Sequence, residues 1–238
     1  MNFVPKKTMN LTDLLKTIWP SSGPLEKYRI ADMSGIGFWM LGPVATILTL
    51  HGNFSDFSLY PEKWNYHWLL ARLGIIPISL LSMYVLRSQW RHKYSDAAVF
   101  GVSLYFTALL SYLVANTGYF ESMLWNAVIQ SIIGASIIPI KPKTYFLCAV
   151  TVFSGYLLTV YGFNPNKNFE IGKSIITSME TYIVLTTIVY FTINRARKLN
   201  YVAQINLEKE ILDRQKKIDY HIAKEFSYKE AELKFNIG

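Results

Sequence analysis

The sequence is poor in cysteine and lacks the short motifs that usually mark catalytic sites. Its one cysteine, Cys148, lies in an apolar run, which excludes a disulfide framework and a cysteine-based metal site. It contains no Gly-Lys-Ser/Thr phosphate loop, no Gly-x-Ser-x-Gly and no His-Glu-x-x-His. We therefore expect that the chain as given is not an enzyme and needs no cofactor.

The four histidines are scattered along the chain. His51 and His67 flank the same predicted loop, whereas His92 and His221 lie in other segments. No pair has the spacing that metal-binding histidines show on one helix or loop. The sequence thus predicts no metal site.

Apolar residues are abundant instead. They make up 51% of the 238 residues, and they form six runs of about 19–21 residues, the length needed to cross the core of a bilayer. The predicted spans are 30–50, 67–86, 97–115, 122–140, 144–163 and 174–194. The predicted fold class is an all-α membrane protein with six transmembrane helices, and a soluble helical bundle is the weaker alternative.

Lysine and arginine are unevenly distributed between the two sides of these spans. Thirteen flank one side, in residues 1–29, 87–96, 141–143 and 195–198, and three flank the other side. The positive-inside rule then places both termini in the cytoplasm, and an even number of spans agrees with termini on one side. The net charge of +8 is therefore explained by topology and anionic lipid rather than by nucleic acid.

Three segments follow from this layout. Residues 1–29 form a cytoplasmic segment whose predicted amphipathic helix, 11–19, either lies in the membrane interface or packs on the protein. Residues 30–194 form the six-helix domain, whose first span acts as an uncleaved signal. Residues 195–238 form a cytoplasmic tail, in which the sixth span continues as a helix.

The tail begins with a basic stop, Arg195-Ala196-Arg197-Lys198, and has no proline or glycine before its last residue. Apolar residues recur along it in steps of four, seven, four and four: Leu207, Ile211, Ile218, Ile222 and Phe226. This spacing is typical of a coiled-coil seam with one phase shift. It favours a parallel homodimer over a lone, solvated helix, which would be marginal in water.

Four polar side chains fall at one depth in the outer half of the predicted membrane domain. They are Arg72, Glu180, Asn126 and Gln130. Since a charge at membrane depth costs about 2.5–3.5 kcal/mol on insertion scales, we expect Arg72 and Glu180 to pair, directly or through the two amides. They would form the floor of a ligand pocket walled by Trp68, Trp125, Tyr112, Tyr156 and Tyr182. The equal alternative is that these groups only hold the helices together.

A few local motifs carry a resemblance over about residues 30–226. Trp125 begins the fourth span, Val160-Tyr161-Gly162 ends the fifth, Arg195 closes the sixth, and Ile222-Ala223-Lys224 precedes Phe226. With six short spans and a basic exit into a helix, the chain resembles the membrane sensor of quorum-sensing histidine kinases that detect α-hydroxyketones, the CqsS and LqsS type. Comparable six-helix anchors precede some class III adenylate cyclases.

The resemblance implies a receptor in a bacterial inner membrane, with Trp125 in its ligand site. Val128 stands where the family has a small polar residue, so the ligand is expected to differ. Residues 231–236 lack the phosphoacceptor histidine of the kinases, so the chain would be either the sensor part of a larger receptor or a protein without output domain. The alternatives are a small transporter or channel that uses Arg72 and Glu180, and a structural anchor that only dimerises an enzyme.

Overall fold

The computed structural model describes residues 23–59, 61–62, 64–117, 136–162 and 169–235. These residues are almost entirely helical, and no strand occurs among them. The helices are α1 Pro24–Asp32, α2 Ala45–Leu59, α3 Tyr66–Leu73, α4 Ile75–Arg87, α5 Arg91–Thr117, α6 Pro142–Leu157 and α7 Phe169–Phe235. Two π-helical turns, Met33–Gly37 and Met40–Val44, connect α1 to α2, and a third, Leu158–Gly162, follows α6.

Within the described residues, four helical stretches are long and apolar enough to cross a membrane. They are Pro24–Phe54, Tyr66–Arg87, Arg91–Asn116 and Pro142–Gly162. The prediction of an all-helical membrane protein is thus confirmed at this level. These stretches correspond to the predicted first, second, third and fifth spans. Most of the predicted fourth span lies outside the described residues, and the predicted sixth span falls within α7.

The first span is longer at both ends than predicted. It begins at Pro24, directly after Gly23, which has a φ of 100°; proline suits the first position of a helix because it lacks the N–H that would find no partner there. At the other end, the predicted loop 52–66 is wrong for residues 52–59, which continue α2 to Leu59. The sequence from Asn53 to Leu59 is polar and aromatic but has neither proline nor glycine, and the first breaker is Pro61.

Two other predicted boundaries also need correction. The polar loop predicted at 87–93 is only a three-residue turn, Ser88–Trp90, since α5 already begins at Arg91. The Ser88 hydroxyl closes this turn by accepting a hydrogen bond from the Trp90 N–H at 3.1 Å. The fourth span was predicted to reach Ile140, but residues 138–141 are not helical.

The first and second spans pack against each other in opposite directions. The Arg87 guanidinium lies 4.2 Å from the ring centre of Phe38, and Arg72 reaches Thr49 near the other end of the pair. The second and third spans are also antiparallel, because a short turn joins them and the Tyr105 hydroxyl donates to the Ala71 carbonyl. We call the end that carries Arg29, Asp96 and Lys141 the basic end.

Helices α5 and α6, by contrast, run parallel. The Lys141 N–H, just before α6, donates to Asp96 near the start of α5 at 3.0 Å. Further along, the Ser111 hydroxyl of α5 donates to the Gly155 carbonyl of α6 at 3.4 Å. Helix α5 therefore ends opposite the basic end, whereas α6 begins at the basic end.

Two compact units make up the chain, Met1–Arg195 and Ala196–Gly238. In the first unit, α7 packs against α6 in the opposite direction: Tyr190 meets Ile140, and Thr186 meets Tyr145. In the second unit, α7 runs on to Phe235 as the same helix. Most side chains described there are exposed, and an intrahelical pair, Arg214 with Glu210 at 2.6 Å, lies on its surface.

Close contact between α5 and α6 depends on a glycine. A methyl group placed on Gly155 would overlap Cγ2 of Thr107, whereas one on Gly101 would meet nothing within 4 Å. Small residues at such crossings let the backbones of membrane helices approach closely. The α5–α6 crossing is thus set by the absence of one side chain.

We expect Gly155→Ala to lower the free energy of unfolding of the purified protein by about 1–3 kcal/mol, because overpacking forces the two helices apart. The matched control is Gly101→Ala, which should be neutral or slightly stabilising, since alanine is favoured over glycine within helices by about 0.5–1 kcal/mol. Thermal unfolding in detergent, followed by circular dichroism, measures both. Equal effects of the two substitutions would contradict the proposed crossing.

Candidate functional site

Arg72 is buried in the half of the bundle away from the basic end, with 7% of its surface exposed. Its Nη1 donates to the Thr49 carbonyl of α2 at 3.0 Å. Gly52, one turn further along α2, makes room for the guanidinium: a Cβ there would lie 2.5 Å from Nη1. A glycine and a carbonyl of the first span thus accommodate a positive charge from the second.

Trp68 lies one helical turn before Arg72 and is almost completely buried. Its ring packs against Leu109 and Leu113 of α5. Its indole Nε1 has no hydrogen-bond partner among the residues that the structure describes. A buried donor without a partner costs free energy, of the order of 1–3 kcal/mol, so this N–H is a group that an acceptor would satisfy.

Tyr156 of α6 is a second buried group of this kind. Only 1% of its surface is exposed, and its ring belongs to the main apolar core. Its hydroxyl also lacks a hydrogen-bond partner within the described part of the chain. The neighbouring Gly155 contacts α5 at Ser111, so Tyr156 lies in the same half of the bundle as Trp68.

Two other polar side chains in this half have partners within the protein. The Trp64 indole donates to the Asn53 side chain at 3.2 Å, which fastens the start of the second span to the end of the first. The Tyr105 hydroxyl donates to the Ala71 carbonyl. The chemistry available in this half is therefore hydrogen-bond donation and positive charge inside an apolar and aromatic surround.

Of the predicted site residues, the structure buries Arg72, Trp68 and Tyr156. It leaves Glu180 exposed, and the ion pairs formed by the described residues do not include one between Arg72 and Glu180. Glu180 is exposed while the Arg72 guanidinium contacts Thr49, and pairing through Asn126 and Gln130, which lie outside the described residues, stays a prediction.

The other predicted site residues are exposed, half-buried or outside the described residues. Tyr112 is exposed, so it does not line the interior, and Tyr182 is half-buried. The predicted residues Trp125, Asn126 and Gln130 lie outside the described residues. At the exit, Arg195 is exposed, as are the five apolar residues of the predicted tail seam: Leu207, Ile211, Ile218, Ile222 and Phe226.

A second polar centre, at the basic end, was missed by sequence reasoning. The Arg29 guanidinium is 1% exposed and its donors all find acceptors. Glu26 accepts at 2.8 and 2.7 Å, Asp96 at 3.3 Å from both terminal nitrogens, and the Pro139 carbonyl at 3.0 Å. Lys141 adds a second cation, with its Nζ 3.3 Å from Glu26. We call Glu26, Arg29, Asp96 and Lys141 the ionic cluster.

One signal for this cluster was present in the sequence. Glu26 and Arg29 are three residues apart, the spacing of neighbours on a helix, and acidic residues are few on the basic side of the predicted spans. Arg29 and Lys141, however, were counted only as residues that indicate membrane topology. Asp96 and Pro139, which Arg29 also contacts, lie far from it in the sequence, so no local pattern connects them.

The chain matches no protein-family model, no curated protein and no solved structure.

We expect Arg72→Lys to lower stability by about 1.5–3 kcal/mol, the usual contribution of a hydrogen bond to a charged group. Lysine keeps the charge but cannot present the planar fork that reaches Thr49. The matched control is Arg91→Lys, at an exposed position of α5. Thermal unfolding in detergent measures both, and a control that loses as much stability as Arg72→Lys would contradict a specific role for the buried guanidinium.

Proposed function

We propose that this chain is a membrane sensor module that binds a small amphiphilic molecule and transmits the binding through α7. The observation that supports this best is that α7 is one helix, Phe169–Phe235. Its Tyr190 is buried in the bundle, while its later residues form a separate unit. A helix that belongs to both units would carry a displacement from one to the other.

The ligand would bind in the half of the bundle that contains Arg72. The buried indole of Trp68 and the buried hydroxyl of Tyr156 are donors that lack partners among the described residues. Both lie among apolar side chains. A ligand with oxygen acceptors and an acyl tail suits such surroundings, and an α-hydroxyketone, which the resemblance implies, is of this class. The predicted site residues Trp125, Asn126 and Gln130 would complete the site.

The topology is part of the proposal. Parallel α5 and α6 require the chain between them to return along the bundle, over about 40 Å at 1.5 Å per residue for the 27 residues of α5. This supports a fourth span, and α7 would supply the sixth. The excess of lysine and arginine at the basic end would then place both termini in the cytoplasm of a bacterium, in its inner membrane.

Binding must favour one arrangement of α7 over another if it is to be transmitted, because a ligand shifts an equilibrium only by its difference in affinity for the two states. The output would be a histidine kinase or a class III adenylate cyclase, as the resemblance implies.

The ligand site is tested by a search for small molecules that co-purify with the protein. We expect mass spectrometry of the purified wild type to reveal a lipophilic molecule that Trp125→Ala fails to retain. The control is Trp90→Ala, which removes an exposed indole at the basic end and should leave retention unchanged. Equal retention by the wild type and Trp125→Ala, or equal loss in both variants, would argue against a ligand in this half.

The tail is proposed to pair with a second copy of the chain. Its five seam residues, Leu207, Ile211, Ile218, Ile222 and Phe226, are 47–70% exposed. Apolar side chains at this spacing bury their surface when two such helices wind around each other in parallel. Pairing would also stabilise a helix that has little support of its own in water.

We expect Ile211→Cys, in a Cys148→Ala background, to form a disulfide-linked dimer in membranes under mild oxidation. In a parallel pair the same seam position of the two copies comes together. The matched control, Glu210→Cys, is off the seam by one residue, or about 100° around the helix, and should cross-link far less. Non-reducing gel electrophoresis reads both. Cross-linking that is absent, or as strong at Glu210, would exclude the parallel seam.

A further inference from the structure

Three consecutive residues at the basic end, Pro139, Ile140 and Lys141, are each held by a different span. The Pro139 carbonyl accepts from Arg29 of the first span at 3.0 Å. The Ile140 carbonyl accepts from the Tyr190 hydroxyl of α7 at 2.7 Å. The Lys141 N–H donates to Asp96 of α5 at 3.0 Å. We call residues 138–141 the clamped segment.

These bonds are required by where the segment lies. Ile138, Pro139 and Ile140 are buried and not helical, so their backbone groups cannot rely on the regular hydrogen bonds of a helix. Buried backbone groups without partners are costly, and most of all near a bilayer. The side chains of three spans supply partners instead, which ties the position of each span to the same short stretch of backbone.

The contact with α7 extends beyond one hydrogen bond. Tyr190 is fully buried and stacks on Tyr145 of α6, with ring centres 4.2 Å apart and planes at 15°. The Tyr145 hydroxyl lies 3.2 Å from the hydroxyls of both Thr186 and Thr187. One face of α7, over a single turn, is therefore fixed to the clamped segment and to the start of α6.

The ionic cluster fixes the other side of the segment. Its two cations and two carboxylates balance in formal charge, and Asp96 makes two different kinds of contact: with Arg29 and with the backbone of Lys141. A displacement of Asp96 would thus deprive the buried guanidinium of one carboxylate and the clamped segment of its bond from the Lys141 N–H. Buried charged networks of this kind are stable only when every member keeps its partners.

From this geometry we infer that the ionic cluster is a latch that sets the position of α7 through the clamped segment. In its closed state, the latch keeps the Tyr190 hydroxyl bonded to the Ile140 carbonyl. Opened at Asp96, it releases the segment and lets α7 move relative to α6. The latch is a property of the basic end and does not depend on what the other half of the bundle binds, so it would act equally in a receptor or in a transporter.

The test measures the distance between α6 and α7 directly. Spin labels are placed at Lys143 and Thr192, both exposed, in a Cys148→Ala background of the full chain, and double electron–electron resonance gives the distance distribution in nanodiscs. The latched protein should give one narrow distribution. Asp96→Asn and Tyr190→Phe should each add a second population at longer distance. The double variant should resemble the single ones, because both substitutions open the same latch.

The matched control is Tyr105→Phe, which removes another tyrosine hydroxyl bond, between α5 and α3, and should leave the distribution narrow. If Asp96→Asn does not give a monodisperse, helical protein, Glu26→Gln is measured instead, because it weakens the other carboxylate contacts of the Arg29 guanidinium. A single narrow distance distribution in folded Asp96→Asn, or in Glu26→Gln where that variant is used, would contradict the latch. A Tyr105→Phe distribution as broad as that of Tyr190→Phe would also contradict it, because the broadening would then come from a general loss of packing.

Discussion

The buried guanidinium of Arg29 is the group on which the packing of the basic end depends. It takes part in the only described set of contacts that joins the first span, α5 and the segment before α6 at one point. A buried cation in this position is strongly destabilising when one of its partners is removed. The carboxylates of Glu26 and Asp96 and the Pro139 carbonyl satisfy it, so the spans that carry these groups cannot shift independently.

The other half of the bundle is organised differently. Arg72 contacts a backbone carbonyl of the first span, and the donors of Trp68 and Tyr156 have no partner within the described ranges. The ionic cluster of the basic end is thus satisfied, while the other half retains hydrogen-bonding capacity. In the proposed sensor, the half with Arg72 would respond to a ligand and the basic end would hold α7 in one of two states.

Sequence reasoning succeeded where the signal was local. The length of the apolar runs predicted helices that the structure has at nearly the same places, including 67–86 and 144–163. It failed at boundaries where polar residues occupy a helix, as in 53–59 and 91–93, because polarity was taken for a loop although no breaker is present. It did not anticipate that Arg72 contacts the Thr49 carbonyl, since depth in a membrane does not show which side chains are neighbours.

The sequence by itself determined that the described chain is helical, where four of its membrane-length helices lie and that the basic residues collect on one side. These properties follow from the composition of each segment alone. Only the tertiary structure decided that Arg29 is paired with Glu26 and Asp96, that α5 and α6 run parallel and that Tyr190 reaches Ile140. These depend on which helices are neighbours and how each is rotated, and such choices are made by packing among residues far apart in the chain.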